Sequence, residues 1–229
     1  MHTAPTFLTP LRALNCLGTI AIGLWLDQKF EVWGQIGVSV WVWGLFLWIA
    51  VRAAPADRQM MLKCLVVATV GEGFCSLLWG LYDYRLYNIP PFVPPGHVLM
   101  LMAGMALAQG LTLRQAHVLT LLTLTGIVAA LLATHDLLSL PLLSLFALLW
   151  FFSPEQRRVF AVMLLLALGL ELFGTWIGNW TWKPLAPWLD LPAHNPPFAS
   201  SVFYCLLDCL VLQVSVARWR IPQSVVGQQ

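Results

Sequence analysis

The sequence predicts an all-α polytopic membrane protein of about eight transmembrane helices, and three observations predict it. Of the 229 residues, 59% are hydrophobic, and the mean hydropathy is +0.78. The 12 Lys/Arg and 10 Asp/Glu make up only 10% of the chain, where soluble domains run near a quarter. The apolar residues are also gathered into runs. Eight spans of about 20 residues take up roughly 160 positions, which leaves short loops and two tails but no separate soluble domain. A net charge of +2 excludes a nucleic-acid binder that works through bulk basicity.

The runs fall at 11–26, 32–51, 60–82, 97–113, 117–134, 137–152, 159–180 and 199–217. The first follows a single Arg12 with no small-residue cleavage site, and reads as an uncleaved helix rather than a signal peptide. The fifth and sixth are separated only by His135 and Asp136, which suits a helical hairpin, and Pro141 falls in a first turn, where a helix tolerates it. Reading 117–152 differently gives seven helices. The charges favour eight. With the N-terminus inside, Arg12, Arg52, Arg58, Lys63, Arg114, Arg157, Arg158, Arg218 and Arg220 share one side, and only Lys29, Arg85 and Lys183 lie on the other. That is the bias of cytoplasmic loops, and it predicts an inner-membrane protein with both termini cytoplasmic.

The chain repeats itself. The third run ends Glu72-Gly-Phe-Cys-Ser-Leu-Leu-Trp79-Gly80-Leu-Tyr82-Asp-Tyr84, and the seventh ends Glu171-Leu-Phe-Gly-Thr-Trp-Ile-Gly178-Asn-Trp180-Thr-Trp182. A proline-rich loop with a histidine follows each, at Pro90–His97 and at Pro192–Pro197. An even number of crossings per unit makes the halves, 1–114 and 115–229, parallel four-helix repeats. An interfacial aromatic belt explains the rings but not the acids. Gly174-x-x-x-Gly178 and Ser76-x-x-x-Gly80 are candidate sites of close helix–helix approach.

Three acids stand apart from the charges at span ends. Glu72 lies ten residues before Tyr82, Glu171 nine before Trp180, and Asp208 nine after Ala199, so each sits roughly 13–15 Å deep at 1.5 Å per residue. A charge at that depth costs at least about 2.5–3.5 kcal/mol and faces the bundle interior or a wet cavity. A carboxyl kept neutral there can act as a general acid or proton carrier. We therefore take Glu72, Glu171, Asp208, His97 and His194 as candidate catalytic residues. Trp79, Tyr82, Tyr84, Trp180, Trp182 and Asn195 are candidate substrate-binding residues. The stripes Glu171–Thr175–Gly178–Trp182 and Glu72–Ser76–Trp79–Asp83 are expected to line a path from the outside. His97, His135 and His194 lack any diagnostic metal-ligand spacing, and the five cysteines lack that of a zinc ribbon or disulfide framework. No metal site or cofactor is assigned.

Pro95-Gly96-His97 resembles part of the Pro-Ser-Gly-His motif of membrane phosphatidic-acid phosphatases. The other phosphate-binding and nucleophile motifs of that family are missing, so phosphoryl transfer is set aside. The pattern Glu171-x-x-Gly174-x-x-x-Gly178-x-Trp180-x-Trp182, echoed by Glu72, Gly80, Tyr82 and Tyr84, resembles that of bacterial carotenoid-biosynthesis membrane hydratases. Trp stands for Tyr in one copy. The resemblance implies water addition to a polyene end, with Glu171 and Glu72 as acids. From the residues alone, the expectation is an enzyme doing acid/base chemistry on a lipophilic substrate, with membrane lipids as partners. A proton-coupled small carrier and a non-catalytic subunit of a larger membrane complex are the alternatives, and a homo-oligomer or a larger membrane complex is the expected assembly.

Overall fold

A computed structural model of the chain describes residues 9–215. Arg218, Arg220, His2 and both terminal tails lie outside the described residues. Within them are eight α-helices: α1 (Pro10–Lys29), α2 (Glu31–Arg52), α3 (Pro55–Glu72), α4 (Val93–Ala108), α5 (Leu113–Thr134), α6 (Ser139–Phe152), α7 (Arg157–Ile177) and α8 (Ser201–Ser215). Four apolar segments are long enough to cross a membrane: Glu31–Arg52, Pro55–Leu78, Leu113–Thr134 and Pro154–Ile177. Helices α4, α6 and α8, with 16, 14 and 15 residues, are shorter than the ~30 Å hydrocarbon core requires of a helix.

The surface is apolar where a soluble protein would be polar. Helix α2 buries one residue per turn, Gly34, Val38, Val42, Phe46 and Ala50, and turns Val40, Trp48 and Val51 outward. An apolar surface of this kind requires an apolar surrounding.

Several boundaries shift for local reasons. Helix α4 begins at Val93 because Pro94 and Pro95 occupy its first turn, where a missing N–H is harmless. Helix α5 begins at Leu113 because Thr112 and Gln115 form a reciprocal capping box. Helix α3 passes into a π-helical turn over Gly73–Leu78, and then the chain reverses.

Two small antiparallel ribbons depart from the all-helical expectation. Strand β1 (Tyr82–Tyr84) pairs with β2 (Trp180–Trp182) in the register Tyr82↔Trp182, Asp83↔Thr181 and Tyr84↔Trp180. Strand β3 (Leu185–Ala186) pairs with β4 (Leu191–Pro192). Gly80 (φ +71°) and Gly178 (φ +86°) adopt left-handed backbone where each helix gives way to its strand, a conformation glycine enters without steric penalty. Each strand therefore folds back beside the helix that precedes it.

Helices α3, α4, α7 and α8 interlock: α3 packs on α4 and α8, and α7 packs on the same two. Helix α1 packs on α2 and α4, α5 lies on α7, and α6 lies on α8. Polar clamps join the loops at the ribbon end. Asn179 donates to Asp27 Oδ2 (2.7 Å) and to the Leu24 carbonyl (3.2 Å), while Arg85 pairs with Asp27 at 3.3 Å. Asp136 receives the Ser139 hydroxyl (2.5 Å) and the backbone N–H groups of Phe198 (2.8 Å) and His194 (3.4 Å). It thereby ties the α5–α6 turn to the loop before α8. At the opposite end Arg58 donates to the last carbonyls of α2, including Ala50 at 2.8 Å. Helix alternation places Arg12, Arg52, Arg58, Lys63, Arg114, Arg157 and Arg158 toward that end, and Lys29, Arg85 and Lys183 at the ribbon end.

Asp136→Ala removes the acceptor of three donors and is expected to destabilise the fold by at least about 2 kcal/mol. Lys183→Ala breaks a half-exposed pair with Asp83 and is expected to cost less than about 1 kcal/mol. Thermal unfolding of the two variants side by side checks the contrast.

Candidate functional site: two caged carboxylates

Glu72 ends the regular part of α3, and β1 returns two residues past the Gly80 turn. Its alternating side chains place Tyr82 and Tyr84 on one face of the strand, and both donate their hydroxyls to Glu72 Oε2, at 2.8 and 2.6 Å. His97, one turn into α4, reaches Glu72 Oε1 through Nε2 at 2.8 Å. The second half builds a counterpart. Trp180 and Trp182 each donate an indole N–H to Glu171 Oε2 at 3.0 Å, and Tyr204 of α8 donates its hydroxyl to Glu171 Oε1 at 2.9 Å. Both carboxylates are buried, at 8% and 5% exposure, so each is affordable only because its donors are supplied. Tyr84 lies beyond the helices. Burial first, and then the neighbouring Glu72 charge, push its phenol well above its ordinary pKa, so it stays a neutral donor.

The two donor sets touch each other. Tyr82 meets Trp182 with ring centroids 4.7 Å apart, Tyr84 meets Trp180 at 6.1 Å, and His97 stacks on Tyr204 at 4.9 Å. Glu72, Glu171, His97, Tyr82, Tyr84, Trp180 and Tyr204 line one cavity of about 70 Å³. Its opposite wall is mostly aliphatic and comes from α1, α2 and α4, through Ile20, Leu24, Val38, Val42 and Met100.

Other candidates fall elsewhere. Trp182 contacts Glu171 without lining the cavity. Trp79 stacks on Trp188 at 5.5 Å and donates to the Pro187 carbonyl at 2.5 Å. Asn195 accepts the Trp182 backbone N–H at 2.8 Å and so fixes β2. His194 stacks on Phe198 at 4.6 Å, with its ring 3.0 Å from the Pro196 carbonyl. Asp208 lies one turn beyond Tyr204 on α8, 1% exposed, and its Oδ2 has no hydrogen-bond partner. It does not line the cavity.

Two expectations are corrected. Of the polar stripes only Glu72 and Glu171 line the cavity; the Thr175 hydroxyl donates to the Glu171 carbonyl (2.7 Å) and the Ser76 hydroxyl to the Tyr82 carbonyl (3.3 Å). The paired small residues serve the returning strands rather than helix–helix contact. A Cβ on Gly174 would lie 2.0 Å from Trp180 Cη2, so Gly174 makes the space in which that indole reaches Glu171. Tyr204 and the α1–α2 wall are absent from the sequence-based site. No sequence signal marks Tyr204, the fourth residue of α8, as a donor to Glu171.

No family model, curated protein or solved structure matches this chain.

Gly174→Ala is expected to displace Trp180, to destabilise the protein by about 1–3 kcal/mol through overpacking, and to shift tryptophan emission. In a Trp180→Phe background the same substitution should cost clearly less. Unfolding midpoints of the four proteins in this cycle measure the coupling.

Proposed function

We propose that this chain is an enzyme of the inner membrane that performs acid/base chemistry on a lipophilic substrate, a lipid or an isoprenoid. One observation carries the reading: two buried carboxylates, each held by three side-chain donors, line one cavity whose remaining lining is mostly apolar. A structural carboxylate needs donors but no adjoining space. In this reading all eight helices cross the bilayer, both termini are cytoplasmic, and the halves 1–114 and 115–229 are parallel repeats. The antiparallel pairing of β1 with β2 and the three matched ring contacts support the duplication.

The two acids do different work. Indole N–H groups can only donate, so Glu171 Oε2, facing two of them, is a fixed acceptor. Glu72 Oε1 faces a histidine nitrogen, which can hold the proton or give it up. His97 and Glu72 therefore handle the proton, and Glu171 faces the charge that develops when the substrate accepts it. The resemblance to carotenoid-biosynthesis hydratases favours an isoprenoid end as the acceptor.

The test is mass spectrometry of lipid and isoprenoid pools supplied to the purified protein in bilayers. Wild type should convert one of them. Glu72→Gln and Glu171→Gln should each lower the rate by about 10²-fold or more with membrane insertion unchanged. Full activity in both variants, or flux across vesicles with no chemical change, overturns the reading.

A further inference from the structure

We propose that the cavity selects for positive charge: it takes a compact cationic group carried on an apolar chain, in preference to a neutral or anionic group of the same shape. The inference deepens the reading above and rests on it for the site, but it holds whether or not the bound molecule is turned over.

The lining carries the argument. It contains Glu72 and Glu171 and no Lys or Arg among the described residues, and His97 is already bound to Glu72. A carboxylate has about four acceptor positions. Three are filled on each acid, with two donors on Oε2 and one on Oε1. Each Oε1 therefore retains acceptor capacity toward a ligand. The rings add to this preference. Aromatic faces are electronegative and their edges electropositive, and here the positive N–H and O–H groups of Tyr82, Tyr84, Trp180 and Tyr204 are directed at the carboxylates. What those rings still offer a ligand is their negative π surface, which attracts cations more strongly in a desolvated site. An anion would meet two carboxylates without a free cation to offset them. A neutral group would gain only packing.

Size and shape set the rest of the ligand. About 70 Å³ of space in a partly open cavity suits one compact head rather than a whole lipid. The aliphatic wall formed by Ile20, Leu24, Val38 and Val42 gives its chain a surface to lie along. Gly23 also lines the cavity, and a Cβ there would sit 3.1 Å from Val38 Cγ1, so the wall has little slack.

The experiment uses the full chain in bilayer discs of zwitterionic lipid. It is titrated with octyltrimethylammonium, with the uncharged hydrocarbon in which carbon replaces the nitrogen, and with octanesulfonate. Calorimetry measures binding, and empty discs are subtracted. Wild type should bind the ammonium at least about tenfold more tightly than its isostere and show no sulfonate binding above empty discs. Glu171→Gln and Glu72→Gln should bring ammonium and isostere within about twofold of each other, while Glu171→Asp retains the preference. A photoreactive ammonium probe on wild type serves where a Gln variant fails to fold, and it should label peptides that carry cavity-lining residues. Equal binding of ammonium and isostere by wild type, a preference that survives in both folded Gln variants, or labelling confined to other peptides overturns the proposal. Charge preference without turnover of any supplied lipid supports it and overturns the enzyme reading; turnover without charge preference does the reverse.

Discussion

Two buried carboxylates line one cavity of this protein, and the arrangement around them follows from the need to supply their donors. An ionised carboxylate left without donors in such a site is costly. Backbone cannot help, because helical N–H groups are already committed to the carbonyls four residues back. The donors must therefore be side chains, and most of them must come from residues that leave the helix and return. That requirement accounts for β1 and β2. Each helix ends in a left-handed glycine, and each strand runs back past its own acid. The period-two alternation of the strand then turns two aromatic donors toward one oxygen.

Once the strands have returned, their pairing holds the two halves together. Antiparallel pairing of β1 with β2 puts the donors of one acid in ring contact with the donors of the other. The third donors, His97 and Tyr204, come from α4 and α8 and stack face to face. The clamps at Asp27 and Asp136 lie outside this centre and hold it in place from the sides. Asp27 joins the end of α1 to Arg85 and Asn179 on the ribbon. Asp136 joins the α5–α6 turn to the segment that leads into α8. The cavity forms where α1 and α2 close over the exposed side of this aromatic centre.

Much of this was legible in the sequence, for physical reasons. Composition and run length expose membrane-length helices because the bilayer imposes a length. Burial depth singles out Glu72 and Glu171 because a buried charge is expensive enough to need a reason. What was not legible depends on partners distant in sequence. The Tyr-x-Tyr and Trp-x-Trp motifs have the period of a strand, but nothing local says that β1 pairs with a segment about 100 residues away. Gly174 and Gly178 match a helix-contact pattern, yet one makes room for an indole and the other ends the helix. Tyr204 sits in an ordinary apolar helix, and only the position of Glu171 reveals it as a donor. Asp208 is as deeply buried as the other two acids, but its Oδ2 has no hydrogen-bond partner, and the sequence alone does not separate it from them.

The two halves resemble each other in geometry and differ in chemistry, and the difference is confined to the donors. Glu72 has two phenols and an imidazole, and Glu171 has two indoles and a phenol. A phenol hydroxyl and an imidazole can each accept as well as donate, whereas an indole can only donate. Two indoles at Glu171 Oε2 match the two phenols at Glu72 Oε2 in number, but neither can take a proton from that oxygen. Where Glu171 has the phenol of Tyr204, Glu72 has the imidazole of His97, whose ring nitrogen can donate or accept. Two like carboxylates close together would compete for the same proton. In the proposed reading, unlike donor sets relieve that competition, with the exchangeable proton at Glu72 and a fixed acceptor role for Glu171. Two similar strand-and-helix arrangements thus hold their acids through chemically unlike donors.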